Sequence, residues 1–127
     1  MEWIFRGDQP IYSQLIRRIK QGIVSGELPP GERLSSVRDL AMEAGVNPNT
    51  MQRALQELER EGMVYSQRTA GRFVTEDMTL IESAKRAFAE EHIRVFLEGM
   101  KKLGYDREEI LSLLQEEKED EHGNSGM

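Results

Sequence analysis

The sequence predicts a mainly α-helical chain with a single small β-hairpin. Three observations predict it. Before residue 62, apolar residues recur at helical spacing in three separate stretches, each closed by a glycine. Between residues 63 and 74 the period shortens to that of strands, around a polar and basic stretch. From about Thr79 the helical spacing returns and runs through the rest of the apolar residues.

The first helix is expected to open at Pro10, which suits the N1 position because the N–H it lacks would be unsatisfied there. Ile11, Leu15, Ile16, Ile19 and Ile23 form its apolar stripe, and Arg17, Arg18 and Lys20 stand off it as a solvated face. Gly26 is a natural stop, and Leu28-Pro29-Pro30-Gly31 is a turn by composition. A short second helix starts with Ser36 as N-cap and Asp39 three residues on, in a capping-box arrangement. Val37, Leu40 and Ala41 face inward and Gly45 ends it. A third helix covers 47–61, with Asn47 as N-cap, Pro48 at N1, and Val46 placed to staple onto Met51. Met51, Ala54, Leu55 and Leu58 are its stripe, and Gly62 its stop. Two helices joined by a tight glycine-containing turn make a helix-turn-helix. Met63-Val64-Tyr65 and Arg72-Phe73-Val74 then flank Ser66-Gln67-Arg68-Thr69-Ala70-Gly71 as a hairpin with a basic tip. A helix-turn-helix followed directly by such a hairpin is a winged helix.

The second half is helical throughout. Leu80, Ile81, Ala84, Phe88, Val95, Phe96, Met100 and Leu103 trace one long helix that Gly104 stops. Tyr105, Asp106, Glu109 and Ile110 fit N′, N-cap, N3 and N4 of a last helix, a capping box with a hydrophobic staple. Leu111, Leu113 and Leu114 continue it. Two helices with this much apolar surface have no core of their own, so they need a partner. A second copy across a two-fold axis is the economical one, with Ile81, Ala84, Phe88, Val95, Phe96, Leu113 and Leu114 as the interface; packing back onto the winged helix is the alternative. The expected organisation is a winged helix-turn-helix over 1–77, a two-helix dimerisation region over 78–115 and an acidic flexible tail over 116–127.

Composition narrows the function. The chain has 127 residues, no cysteine and two histidines, so a disulfide framework, a thiolate metal site and a cysteine nucleophile are excluded. No more than three apolar residues are consecutive, which argues against a membrane span or a secretory signal; a cytoplasmic location follows by default. There is no Ser–His–Asp set at sensible spacing, no phosphate-binding loop, no dinucleotide turn and no His pair at i,i+4. No enzymatic activity, metal or cofactor is therefore expected. The net charge is −6, yet residues 1–77 carry 10 Lys/Arg against 11 Asp/Glu, net −1, while residues 78–127 carry 7 against 12, net −5. The acidity sits in the second half, Glu116, Glu117, Glu119, Asp120 and Glu121 included, which leaves the first half able to gather cations on one face.

The order of motifs resembles the GntR family of bacterial transcription regulators. Pro10-Ile11-Tyr12-Ser13-Gln14-Leu15 and Gly26-Glu27-Leu28-Pro29-Pro30-Gly31-Glu32-Arg33-Leu34 are similar to its opening. Ser35-Ser36-Val37-Arg38-Asp39-Leu40-Ala41 and Gly45-Val46-Asn47-Pro48-Asn49-Thr50 resemble its helix-turn-helix core. Leu58-Glu59-Arg60-Glu61-Gly62-Met63-Val64 and Gly71-Arg72-Phe73-Val74 resemble its approach to the wing. The chain departs from the pattern at Ser35, usually proline, at Thr69, often glycine, and at Arg72, often threonine. The short two-helix remainder, with Gly104-Tyr105-Asp106-Arg107-Glu108-Glu109-Ile110, is similar to the YtrA-like subfamily, whose C-terminal helices make a dimer.

The resemblance implies a sequence-specific transcriptional regulator, more readily a repressor, that binds a double-stranded inverted-repeat operator as a homodimer. In the first turns of the recognition helix, Asn49 and Gln52 have the chemistry to pair with adenine, Arg53 with guanine, and the Thr50 methyl to touch thymine. Asn47 serves first as a cap. Arg38, with Ser36, lies on the helix that crosses the DNA backbone, and Arg68, Thr69, Gly71 and Arg72 surround the wing tip, within reach of a minor groove or its phosphates. A winged-helix protein-interaction module without DNA readout is the alternative, kept alive by a pI near 5.0. A switch that senses an unidentified small-molecule effector in the dimer interface is a third reading.

Overall fold

A computed structural model describes residues 1–125, with side chains described through Glu117. Five helices and one hairpin follow in order: α1 (Ile11–Ser25), α2 (Val37–Ala44), α3 (Pro48–Arg60), β1 (Val64–Gln67), β2 (Gly71–Val74), α4 (Met78–Lys102) and α5 (Arg107–Ser125). The chain is mainly helical with a two-stranded antiparallel hairpin, as the periodicities predict. The span expected as an acidic flexible tail, 116–127, coincides up to Ser125 with the end of α5, and its side chains beyond Glu117 lie outside the described ones.

The chain forms two compact units, Met1–Ala87 and Phe88–Met127. The first holds the core. Leu15, Ile19 and Ile23 of α1 pack with Leu40 and Ala41 of α2 and with Met51, Ala54, Leu55 and Leu58 of α3, all buried. These are the positions the helical stripes predict, because burying one face of each helix is what removes its apolar area from water. Ile11, expected on the stripe of α1, is exposed instead. Pro10 takes an extended ψ of 137° and so stands as N-cap, one position outside the helix it was expected to open.

Local capping chemistry sets the ends of the helix-turn-helix. The Ser36 hydroxyl accepts the Asp39 N–H at 3.1 Å, and the Asn47 side chain accepts the Asn49 N–H at 2.7 Å. Between them Gly45 adopts φ +71°, a left-handed conformation in which a side chain is disfavoured, and the chain reverses there with the Val46 N–H on the Ala41 carbonyl at 2.9 Å.

In the hairpin, Val64 pairs with Val74, Tyr65 with Phe73, Ser66 with Arg72 and Gln67 with Gly71, which leaves Arg68-Thr69-Ala70 as the connecting loop. The Tyr65 and Phe73 rings stack across the ladder with centroids 5.6 Å apart. The outer edge of β2 is covered by the segment 31–34. The Leu34 N–H donates to the Arg72 carbonyl at 2.9 Å and the Val74 N–H to the Glu32 carbonyl at 2.8 Å, around an Arg33–Phe73 bridge. Sequence periodicity missed this rung, because one residue of bridge leaves no alternation to detect.

It also missed the arm before α1. Trp3 and Phe5 stack at 6.2 Å and pack, half-buried, against the core. The Gln14 side chain holds the arm by both its ends: it accepts the Arg6 N–H at 2.7 Å and donates to the Arg6 carbonyl at 2.7 Å.

The first turns of α4 belong to this same unit. Ile81 is buried in its core, with Leu80 and Ala84 packed against it. Of the residues expected in a dimer interface, Ile81 is buried within this unit and Ala84 is half-buried against its core. The compact unit accordingly runs past residue 77 to Ala87.

In the second unit α5 opens with a reciprocal capping box, the Asp106 N–H on Glu109 at 3.0 Å and the Glu109 N–H on Asp106 at 2.9 Å. Ile110, at its N4 position, is buried. Ile93, Val95, Phe96, Leu103, Leu111 and Leu114 are exposed.

Candidate nucleic-acid interface

With Met51, Ala54, Leu55 and Leu58 turned into the core, the opposite face of α3 is fixed by the 3.6-residue repeat. Asn49, Arg53, Gln56 and Arg60 follow one another along it at spacings of four, three and four, and all four are exposed. Gln52 and Thr50 lie at the two edges, half-buried. The α3 face thus carries amide, guanidinium and hydroxyl groups, the types that hydrogen-bond to base edges in a major groove. Gln56 was not singled out from the sequence, although its place midway between Arg53 and Arg60 was countable there.

Arg53 is held as well as exposed. Its guanidinium carbon lies 4.7 Å from the centroid of the Tyr12 ring, a cation–π contact from α1. Arg60 bonds Glu57, one turn back, through both guanidinium and carboxylate ends. Arg60 and then Glu61 hold the Glu57 carboxyl below its ordinary value by hydrogen bonding, and the same partner raises Arg60.

Arg38 on α2 and Arg68 in the hairpin loop are exposed and have no ion-pair partner among the described residues. Glu43, five residues after Arg38 on the same helix, takes the Met1 ammonium at 3.2 Å. Thr69 is exposed beside Arg68. Gly71 has φ +107°, and a Cβ there would lie 3.2 Å from the Arg33 Nε. The glycine is thus needed both for its backbone and for the passage of the Arg33 side chain. Arg33 brings a further exposed cation to the loop end of the hairpin, beside Gly71, and it is not among the site residues read from the sequence.

Arg72 has a different setting. Its side chain is 19% exposed and its Nε donates to the Glu59 Oε1 at 3.2 Å. The Ser66 hydroxyl donates to that same oxygen at 2.6 Å. Ser66 and then Arg72 hold the Glu59 carboxyl below its ordinary range, against the opposing effect of burial.

Ion pairs match Glu43 and the acids of α3 and its cap, while Glu32, Asp39 and Glu76 of the same head stay exposed without one among the described residues. Glu43, Glu57, Glu59 and Glu61 are occupied by Met1, Arg60, Arg72 and Lys20 respectively. Arg33, Arg38, Arg53 and Arg68 are left without a carboxylate partner among the described residues. Local positive charge of this kind is what phosphate contacts require, whatever the total charge of the chain. No group of three or more His, Asp or Glu side chains is placed to hold a metal ion, and no helix is long and apolar enough to cross a membrane, among the described residues.

The profile of the bacterial regulatory proteins of the gntR family matches residues 11–74, the segment from the start of α1 to the end of β2. The HTH-type transcriptional repressor YtrA of Bacillus subtilis is 37% identical over 101 residues, 80% of this chain and 73% of that protein. A GntR family transcriptional regulator from Listeria monocytogenes superposes with a TM-score of 0.80 at 38% identity, over 88% of this chain and 98% of that one. The DNA-binding domain of AraR in complex with operator ORX1 superposes with a TM-score of 0.54 at 28% identity, over 59% of this chain and 96% of that one. The winged helix-turn-helix, its exposed α3 face and this match over both chains' main lengths have one reading: the chain is a DNA-binding transcriptional regulator, not an enzyme, and belongs to the GntR family, in the manner of its YtrA-like members.

Proposed function

We propose that the chain is a repressor that binds an inverted-repeat operator as a homodimer and acts by occluding a promoter. The observation that carries this reading is the line of Asn49, Arg53, Gln56 and Arg60 along the face of α3 opposite its buried stripe. In this reading α3 enters the major groove by its first turns, with Asn49, Gln52 and Arg53 on base edges and the Thr50 methyl near a thymine. Ser36 and Arg38 at the start of α2 meet the backbone, and the N–H groups at the start of α3 add partial positive charge for a phosphate. Arg68, Thr69 and Gly71 approach the neighbouring minor groove, with Arg33 behind them. Asn47 has its side chain on the Asn49 N–H and serves the helix before the DNA.

The homodimer is supported by the second unit. Ile93, Phe96, Leu97, Arg107, Ile110, Leu111 and Leu114 line an open groove of about 430 Å³. Its walls are apolar save for Arg107, which suits a protein surface better than a polar small molecule. Phe96 and Leu114 are exposed there; of the other expected interface residues, Val95 is exposed and Phe88 and Leu113 are half-buried. A second copy covering these residues gives two recognition helices related by a two-fold axis, hence half-sites about one helical turn apart or slightly more. Such a regulator works in the cytoplasm, where its DNA is.

Selection of bound fragments from a random duplex pool tests this directly. The expected product is a palindromic consensus, bound with an affinity that falls steeply as salt rises. Recovery of no consensus, together with a flat salt response, overturns the reading.

A further inference from the structure

Glu59, on the last turn of α3, bonds the hydroxyl of Ser66 at 2.6 Å and the Nε of Arg72 at 3.2 Å through one carboxylate oxygen. Ser66 and Arg72 are register partners across the hairpin. One side chain of the recognition helix therefore grips both strands of the wing at the same rung. Seven residues before Glu59, on the same edge of α3, stands Gln52. The carboxylate is thus continuous with the edge of the helix that faces the wing.

The two wing arginines differ accordingly. Arg68 is exposed in the loop with no ion pair among the described residues, whereas Arg72 is mostly covered and its charge is matched. Moving Arg72 onto a phosphate would cost the pair with Glu59 and leave that carboxylate facing the DNA backbone, a like-charge contact.

Resting on the DNA-binding reading above, we infer that Glu59 and Arg72 are positioning residues: Glu59 clasps the wing to the recognition helix through Ser66 and Arg72, and Arg68, not Arg72, delivers the wing's charge to the duplex. The clasp sets where Arg68 sits relative to α3, and it keeps Arg72 out of the count of phosphate contacts.

The test measures log affinity against log salt for a mixed-sequence duplex and for the pool-selected operator, with amide hydrogen exchange of residues 64–74 in the free protein. Each phosphate contact contributes about one unit of salt slope. Arg68→Ala is expected to shallow the slope by about one unit and leave wing exchange unchanged. Arg72→Thr, which puts a strand-favouring β-branched residue in its place, is expected to leave the slope unchanged and to speed wing exchange. Glu59→Ala is expected to speed wing exchange and to steepen the slope by up to about one unit, as Arg72 is released toward the backbone. The Glu59→Ala, Arg72→Thr pair returns the slope to its original value, and Glu59→Gln, which keeps an acceptor for Ser66, restores part of the protection. The inference is overturned if Arg72→Thr shallows the slope as much as Arg68→Ala, or if Glu59→Ala leaves wing exchange unmoved. Absence of salt-dependent duplex binding by the unmodified chain overturns the DNA-binding reading itself, a result distinct from either.

Discussion

Arg53 is both aimed and braced. Its backbone position turns it out of the core, and the Tyr12 ring 4.7 Å away restricts where the guanidinium rests. An ordered guanidinium loses less freedom on meeting a base, and Arg on guanine is a bidentate pairing. Arg53→Ala and Gln52→Ala are each expected to lower the preference for operator over scrambled duplex by about 1–3 kcal/mol. Arg38→Ala is expected to weaken both duplexes nearly equally, since a backbone contact carries no base information. Titration of each variant against both duplexes separates the two behaviours, and an unchanged operator-to-scrambled ratio for Arg53→Ala and Gln52→Ala together would remove α3's edge from the reading surface. Asn47 gives a second case. Loss of its bond to the Asn49 N–H in Asn47→Ala is expected to cost about 0.5–2 kcal/mol of stability by urea denaturation. Measured without DNA, that loss identifies a cap; full stability with altered operator choice identifies a base reader instead. The caps at Ser36, Asn47 and Asp106 were legible in the sequence because each acts over two or three residues. The engagement of Arg72 was not, because its partner is thirteen residues away across a turn and a strand.

At the scale of elements the helices and the hairpin were legible, since each carries its own period and its own stop. The parts that escaped have neither. The arm with Trp3 and Phe5 has too few apolar residues for a period, and its place is set by α1 through Gln14. The rung at 31–34 is a loop by composition that becomes strand-like only because β2 has an open edge beside it. The first turns of α4 pack on the head, the alternative the sequence left open, because a helical stripe shows that a face is buried and not what buries it. The wing also carries a pH dependence. Glu59 has an ordinary value of 4.5 and is lowered in the fold, by Ser66 first and Arg72 after it. Below 4.5 the unfolded state therefore binds a proton before the folded state does, so stability rises with pH across that window. The contribution of Glu59 is fully present above its ordinary value and is lost as pH falls through the lowered one. The protection of amides 64–74, taken against the intrinsic exchange rate at each pH, is expected to hold from neutral pH down to that range and then to fall. The same profile in Glu59→Gln, where nothing titrates, would assign the acid response to some other group.

At the scale of the whole molecule the question is what covers the apolar face of the second unit. Ile93, Val95 and Leu111 are each more than half exposed, at 56%, 61% and 55%, and Phe96 is exposed at 41%. Area of this kind left in water is unfavourable by roughly 25 cal/mol per Å², and contiguous patches of it mark association sites. A stable interface buries about 800 Å² on each partner, and side chains from both α4 and α5 supply the apolar centre of one. Phe96→Asp would place a carboxylate in that centre, where an unpaired charge is costly to desolvate. Because Phe96 is exposed within one chain, the substitution is expected to leave the helical content by circular dichroism unchanged. Sedimentation at micromolar concentration is expected to give a dimer for the unmodified chain and a monomer for Phe96→Asp. The consequence for DNA follows from symmetry: a monomer has one recognition helix, so its affinity for the full palindrome falls to that for a single half-site, while each half-site is still read. Arg68→Ala is the matched control, a dimer with fewer phosphate contacts. An unmodified chain that sediments as a monomer sinks the two-fold architecture and the palindromic operator with it, and the groove between Phe96 and Leu114 then needs another occupant.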